Sequence, residues 1–181
     1  MPLGLREHYA VMARYNAWMN RKVYDAAAAL PDDARRRDVG AFFHSLHGTL
    51  NHLVLTDRAW LVRFTKDPSL LASIDGTTPE FSGQLDQVLY DDFAELRRER
   101  EKTDADITRW VGTLTDDELA APTKYYSVAY ERHYEHALWW AVSHFFNHQT
   151  HHRGQATTIL AQLGRDPGTT DLADMLRNEL P

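Results

Sequence analysis

Six of the ten histidines in this chain fall between His133 and His152, a window in which an even spread would leave about one. Imidazole is the commonest protein metal ligand, so this concentration points first to metal chemistry. Across the same window a stripe with steps of three and four runs Ala137, Ala141, Phe145, His148, His152, Ala156, Ile159, Leu163. His148 and His152 therefore stand where packing would favour Leu or Ile. Two imidazoles four residues apart on one helix face have Cβ atoms about 5–6 Å apart, and both reach a single ion. The competing reading makes them hydrogen-bonded core histidines with no metal. That suits a lone residue better than a spaced pair, because two unpartnered buried imidazoles are costly.

His144 extends the row but cannot complete a triad with both. At about 1.5 Å of rise per residue, His144 and His152 are roughly 12 Å apart along the axis, against metal–nitrogen bonds of about 2.0–2.1 Å. A third ligand must come from another helix, where His8, His44, His47 and His52 are available. His52 lies near the middle of its segment beside Leu53, whereas His44 and His47 lie nearer an end, where exposure is expected. Spacing alone leaves the choice open. The segment His148-Gln149-Thr150-His151-His152 is not the metalloprotease pattern, which needs Glu directly after the first His as a base. No Glu-x-x-His occurs anywhere, which excludes the ferritin-like di-iron arrangement. Asp57 falls on an apolar seam and needs a partner there. Either it accepts a hydrogen bond from a metal-bound imidazole and fixes its tautomer, or it pairs with an arginine such as Arg153; ion pairing is the commoner arrangement.

Four long amphipathic segments position these residues. Leu5 to Leu30 repeats apolar residues at helical spacing and is closed by Pro31. Val39 to Phe64 predicts a second helix, with Leu46, Leu50, Leu53, Trp60 and Phe64 on one seam. Pro68, Gly76 and Pro79 mark a loop between Lys66 and Phe81, with a short helical turn at Ser69–Ile74. Ser82 to Val111 predicts a third helix, whose Glu- and Arg-rich face reads as solvated surface. Lys124-Tyr125-Tyr126-Ser127-Val128 has strand composition and suggests a small hairpin. Glu135 to Leu163 predicts the fourth helix, ending at Gly164 with Pro167 beyond, followed by a short terminal helix at Leu172–Leu176. The expected fold is all-α: one domain over residues 1–181, a four-helix bundle of up-down-down-up type with an extra C-terminal helix.

Composition narrows the function classes. With 181 residues, no cysteine and a net charge of −6, the chain excludes disulfide scaffolds, cysteine-ligated zinc or iron–sulfur sites, and cysteine nucleophiles. A chain this long buries roughly 70% of its unfolded surface, so a metal would serve function rather than folding. An acidic chain whose longest basic run is Arg35-Arg36-Arg37 argues against nucleic-acid binding. Without an apolar leader or about 18 consecutive apolar residues, it reads as a soluble cytoplasmic protein with no membrane partner.

The segment Leu46-His47-Gly48-Thr49-Leu50-Asn51-His52-Leu53, continuing through Asp57-Arg58-Ala59-Trp60-Leu61, together with His144-Phe145-Phe146-Asn147-His148-Gln149-Thr150-His151-His152-Arg153-Gly154-Gln155, resembles the DinB-like damage-inducible family. Tyr15-Asn16-Ala17-Trp18 fits its first helix. The resemblance implies a four-helix bundle, often a homodimer, with one divalent metal on three histidines, here His52, His148 and His152. Some relatives are bacillithiol transferases or mycothiol-dependent maleylpyruvate isomerases. The expectation is thus a metal-dependent enzyme, with zinc or nickel as leading ions. It would transfer a low-molecular-weight thiol, or hydrolyse or isomerise a small-molecule substrate. The alternative is a non-catalytic metal-binding stress-response protein.

Overall fold

The computed structural model describes residues 4–80, 82–127 and 130–179. Among them the chain forms α1 (Leu5–Ala28), α2 (Asp32–Arg36), α3 (Leu46–Thr65), a 3-10 turn at Pro68–Leu71, α4 (Phe93–Thr113), α5 (Asp116–Ala120), β1 (Pro122–Ser127), β2 (Arg132–Ala137), α6 (Leu138–Gln162) and α7 (Leu172–Glu179). Phe81 and Val128, assigned above to a loop and a strand, lie outside the described residues.

The long helices α1, α3, α4 and α6 form the bundle, and contacts between them fix their directions. Tyr9 meets Ser143 and Asn16 meets Arg153, so α1 and α6 run the same way. Asn20 meets Asp104 and Asp25 meets Arg97, so α4 opposes α1. Asp57 meets Arg100 and Phe64 meets Trp110, so α3 runs with α4. The topology is up-down-down-up, as the sequence predicts, and β1 and β2 make the expected antiparallel hairpin before α6, with Pro122 opposite Ala137.

Two helices start later than their apolar pattern implies, because a capping residue sits further in. Ser45 accepts a hydrogen bond from Gly48 N at 3.0 Å and starts α3 at Leu46 rather than near Val39. Asp92 accepts one from Glu95 N at 2.7 Å and starts α4 at Phe93 rather than Ser82. Residues 39–45 and 82–91 are thereby released to wrap α3. The first wrap folds directly onto the helix: a Cβ at Gly48 would stand 2.2 Å from the Phe43 carbonyl oxygen, so only glycine permits this approach. The second is pinned by Asn51, whose Oδ1 accepts from the amides of Leu89 and Tyr90, both at 2.9 Å. His47, expected at an exposed end, is buried and donates from Nε2 to the Tyr90 carbonyl. Similarly, α6 begins at Leu138 because residues 132–137 are held in β2. It ends at Gly164 with φ of 73°, and Arg165 N returns to the Leu160 carbonyl.

The apolar core is split in two. One cluster gathers around Val23, Leu50, Leu96 and Leu160, the other around Tyr9, Leu61, Ile107 and Phe145. Between them every bundle helix contributes buried polar groups: Asn16 and Asn20, Asp57 and Arg58, Glu99, Arg100 and Asp104, and Gln149 and Arg153. The face of α4 expected to be solvated therefore turns partly inward.

Candidate metal centre

The charged layer determines where the histidines sit. On α6 the inward positions at this level are Gln149 and Arg153, both buried. His148 and His152 are half-buried and flank them on the side facing α3, which corrects the stripe traced through these two residues. Running antiparallel on α3, His52 presents its ring to both, with ring centroids 5.3 Å from His148 and 4.6 Å from His152. One nitrogen from each of His52, His148 and His152 falls within a sphere of mutual separations no greater than 4.8 Å. His52 and His148 approach each other, Nε2 to Nε2, at 3.4 Å.

Hydrogen bonds at the far side of two rings set their tautomers. His52 Nδ1 lies 2.8 Å from the Leu85 carbonyl oxygen, which can only accept, so Nδ1 carries the proton and Nε2 keeps its lone pair. His152 Nδ1 donates to Gln155 Oε1 at 2.7 Å in the same way. Gln155 is oriented in turn by its amide nitrogen, 3.3 Å from His151 Nε2. The Phe43 ring covers the group, stacked on His52 at 3.8 Å and edge-on to His152 at 5.4 Å.

Burial also favours the neutral, ligating form. Desolvation pushes His52 down to about 4, opposed by the Leu85 carbonyl. His148 is pushed down to about 3, by burial first and then by the surrounding imidazoles. His152 is lowered too, again chiefly by burial. At neutral pH the cluster offers lone pairs and carries no charge.

These residues fit a divalent transition metal. Tetrahedral bonds of about 2.0–2.1 Å place donor nitrogens roughly 3.4 Å apart, matching the His52–His148 separation. The other histidines do not join them. His8 and His44 are exposed, and His47 is engaged with Tyr90. His144 packs against Trp60 at 5.3 Å. Asp57 is paired with Arg100, whose Nη1 donates to Oδ2 at 2.6 Å. The ion-pair alternative thus describes its surroundings, with Arg100 in place of Arg153; Arg153 instead donates to Asn16.

Sequence reasoning missed Phe43, Leu85 and the orienting role of Gln155. Leu85 acts through its backbone, which leaves no residue-type signal. Gln155 had one: it stands three residues after His152, on the same helix face.

Comparison with known proteins agrees with this architecture. The sequence profile of the DinB family matches residues 5–179. Protein DinB of Bacillus subtilis (strain 168) is 23% identical over 160 residues, covering 87% of each chain. The crystal structure of a DinB-like protein from Bacillus cereus ATCC 10987 superposes with a TM-score of 0.61 at 19% identity, covering 86% of this chain and 91% of that one. At that identity the likeness speaks for the fold.

Proposed function

The chain belongs to the DinB family, and from that premise we propose that His52, His148 and His152 hold one divalent transition metal, zinc or nickel, in an enzyme acting on a small molecule. The observation carrying this reading is the convergence of three neutral imidazoles from two antiparallel helices, two with their tautomers set for ligation. Three neutral nitrogen ligands leave such an ion its double charge and an open position, so it supplies Lewis acidity that stabilises an anionic nucleophile. The chain has no cysteine, so a thiol nucleophile must arrive with the substrate. Transfer of a low-molecular-weight thiol to an electrophile is therefore the favoured reaction, with hydrolysis or isomerisation making the same demand on the site. Leu85 and Gln155 hold two of the rings in register, and Phe43 keeps water from one side of the cluster.

The test is elemental analysis of protein purified without a metal-affinity tag, followed by a screen of low-molecular-weight thiols against small electrophiles. About one ion per chain is expected, lost in His148→Ala, with turnover abolished by chelation and restored by zinc or nickel. Protein without metal, or turnover that survives chelation, would overturn the proposal. Stoichiometric metal with no turnover would favour the non-catalytic metal-binding reading.

A further inference from the structure

Outside the histidine cluster, a cavity of about 280 Å³ lies between the outer face of α3, the 3-10 turn and the chain that crosses it, lined by Leu55, Ala59, Val62, Leu71, Leu89 and Tyr126. Its wall is largely aliphatic and aromatic, with two cations, Arg58 and Arg63. They are not equivalent. Arg58 is buried and already neutralised by Glu99, with the Tyr90 hydroxyl as a further partner. Arg63 is half-buried and rests on two aromatic rings, 4.9 Å from the Trp60 centroid and 6.0 Å from that of Tyr125. Among the described residues it has no carboxylate and no hydrogen-bond acceptor. A guanidinium desolvated in this way keeps its donor fork without a protein partner, and that fork matches a carboxylate.

The cavity shares two chain segments with the histidine cluster. Leu55 is one helical turn beyond His52, about 4.5 Å along the axis. The chain that supplies Leu89 to the wall also supplies the Leu85 carbonyl to His52. Arg63 packs on Trp60, Trp60 on His144 at 5.3 Å, and His144 on His148 at 5.9 Å.

We infer that this cavity is a substrate subsite, taking the apolar body of an organic carboxylate whose anionic group pairs with Arg63. As a statement of substrate class it rests on the proposed metal-dependent activity; as a binding site it stands on the cavity and the unpaired guanidinium. A neutral isostere fills the same apolar space but leaves the guanidinium unmatched. A bidentate, partly desolvated charge pair should favour the acid by about tenfold.

Calorimetric titration of the metal-loaded protein with aryl carboxylates from benzoate to 4-phenylbutanoate, each beside its primary amide, tests this directly. At least one acid is expected to bind at millimolar concentration or tighter, and about tenfold tighter than its amide. Arg63→Gln should abolish the preference and Arg63→Lys retain part of it. Ala59→Leu, which narrows the cavity and leaves Arg63 in place, should weaken acid and amide together, so the prediction survives a misfolded Arg63→Gln. Binding of no acid, equal binding of acid and amide, or a preference that persists in Arg63→Gln would overturn the inference. A preference lost in His148→Ala and kept in Arg63→Gln would also overturn it, by placing the carboxylate on the ion. The two readings fail separately. A chain that binds no metal yet shows the Arg63-dependent preference defeats only the functional reading, and a metal-loaded chain without it defeats only this one.

Discussion

On α3 and α6 the histidine cluster lies beside members of the charged layer, which spans all four bundle helices: Asp57 and His52 on α3, Gln149 and His148, then Arg153 and His152, on α6. In the layer, three buried guanidinium groups meet three buried carboxylates. Arg58 pairs with Glu99, Arg100 pairs with Asp57 and lies 2.9 Å from Asp104, and Arg153 reaches Asp104 through Asn16, whose amide donates to it at 3.0 Å. Its charges are matched from within. The cluster instead turns three imidazoles toward one another, and the protonated nitrogens of His52 and His152 are turned outward to Leu85 and Gln155. The difference separates two uses of buried polarity: charges that pair with one another fix how helices pack, whereas neutral imidazoles that converge on one point form a group that could hold a metal ion.

Removing a member of each set gives the largest contrast. Arg100→Met leaves Asp57 and Asp104 buried without their cation and should destabilise the fold by about 3–5 kcal/mol. His148→Leu in metal-free protein removes a neutral ring with no required partner and should change stability by no more than about 1 kcal/mol. Urea denaturation of both variants checks this. A smaller loss in Arg100→Met than in His148→Leu would erase the distinction.

Acid sharpens the same contrast. In the unfolded chain an imidazole takes up its proton near pH 6.5, whereas in the fold His52 does so near 4 and His148 near 3. Between these values the unfolded state binds more protons, so stability falls as pH drops through 6.5 and this contribution levels off below the folded values. His52, which is 2% exposed, accounts for up to about 3 kcal/mol of that loss. Metal-free protein should therefore be markedly less stable at pH 4.5 than at pH 7, and His148→Leu should flatten part of the slope. Equal slopes in the two chains would show that His148 contributes nothing to acid unfolding.

How far the sequence reveals this molecule depends on whether a residue acts through its type or through its place. The bundle was legible because its seams repeat at helical spacing, and the hairpin because Lys124-Tyr125-Tyr126 has strand composition. His148 and His152 were legible as a spaced pair, but periodicity put them at the centre of the stripe that Gln149 and Arg153 occupy. The layer was hidden because Arg100 and Asp104 look like an exposed i,i+4 pair, although they interrupt the apolar series Leu96, Ile107, Val111 where the core should continue. His47 is buried although it lies near a helix end, because that position says nothing about the chain that crosses over it. The place of His52 was open on spacing, since it meets α6 only through the antiparallel packing of α3.

The smallest effect bears on how the cluster is held rather than on what it contains. Gln155 accepts from His152 Nδ1 at 2.7 Å and, being half-buried, has little part in either core cluster. Gln155→Ala should leave the urea midpoint of metal-free protein within about 0.5 kcal/mol of the parent. In the same variant His152 loses the acceptor that keeps its proton on Nδ1, so ligation must first bear the cost of selecting tautomer and ring orientation. Loss of such an orienting partner typically weakens metal binding about 10–100-fold. Competition titration with a chromophoric chelator reads that loss directly, and Gln155→Glu, which restores an acceptor, should recover most of it. If Gln155→Ala binds metal as tightly as the parent, the ring is positioned by packing against the surrounding rings of Phe43, His52, His148 and His151 alone. The cluster would then be held, like the layer beside it, by contacts among its own members.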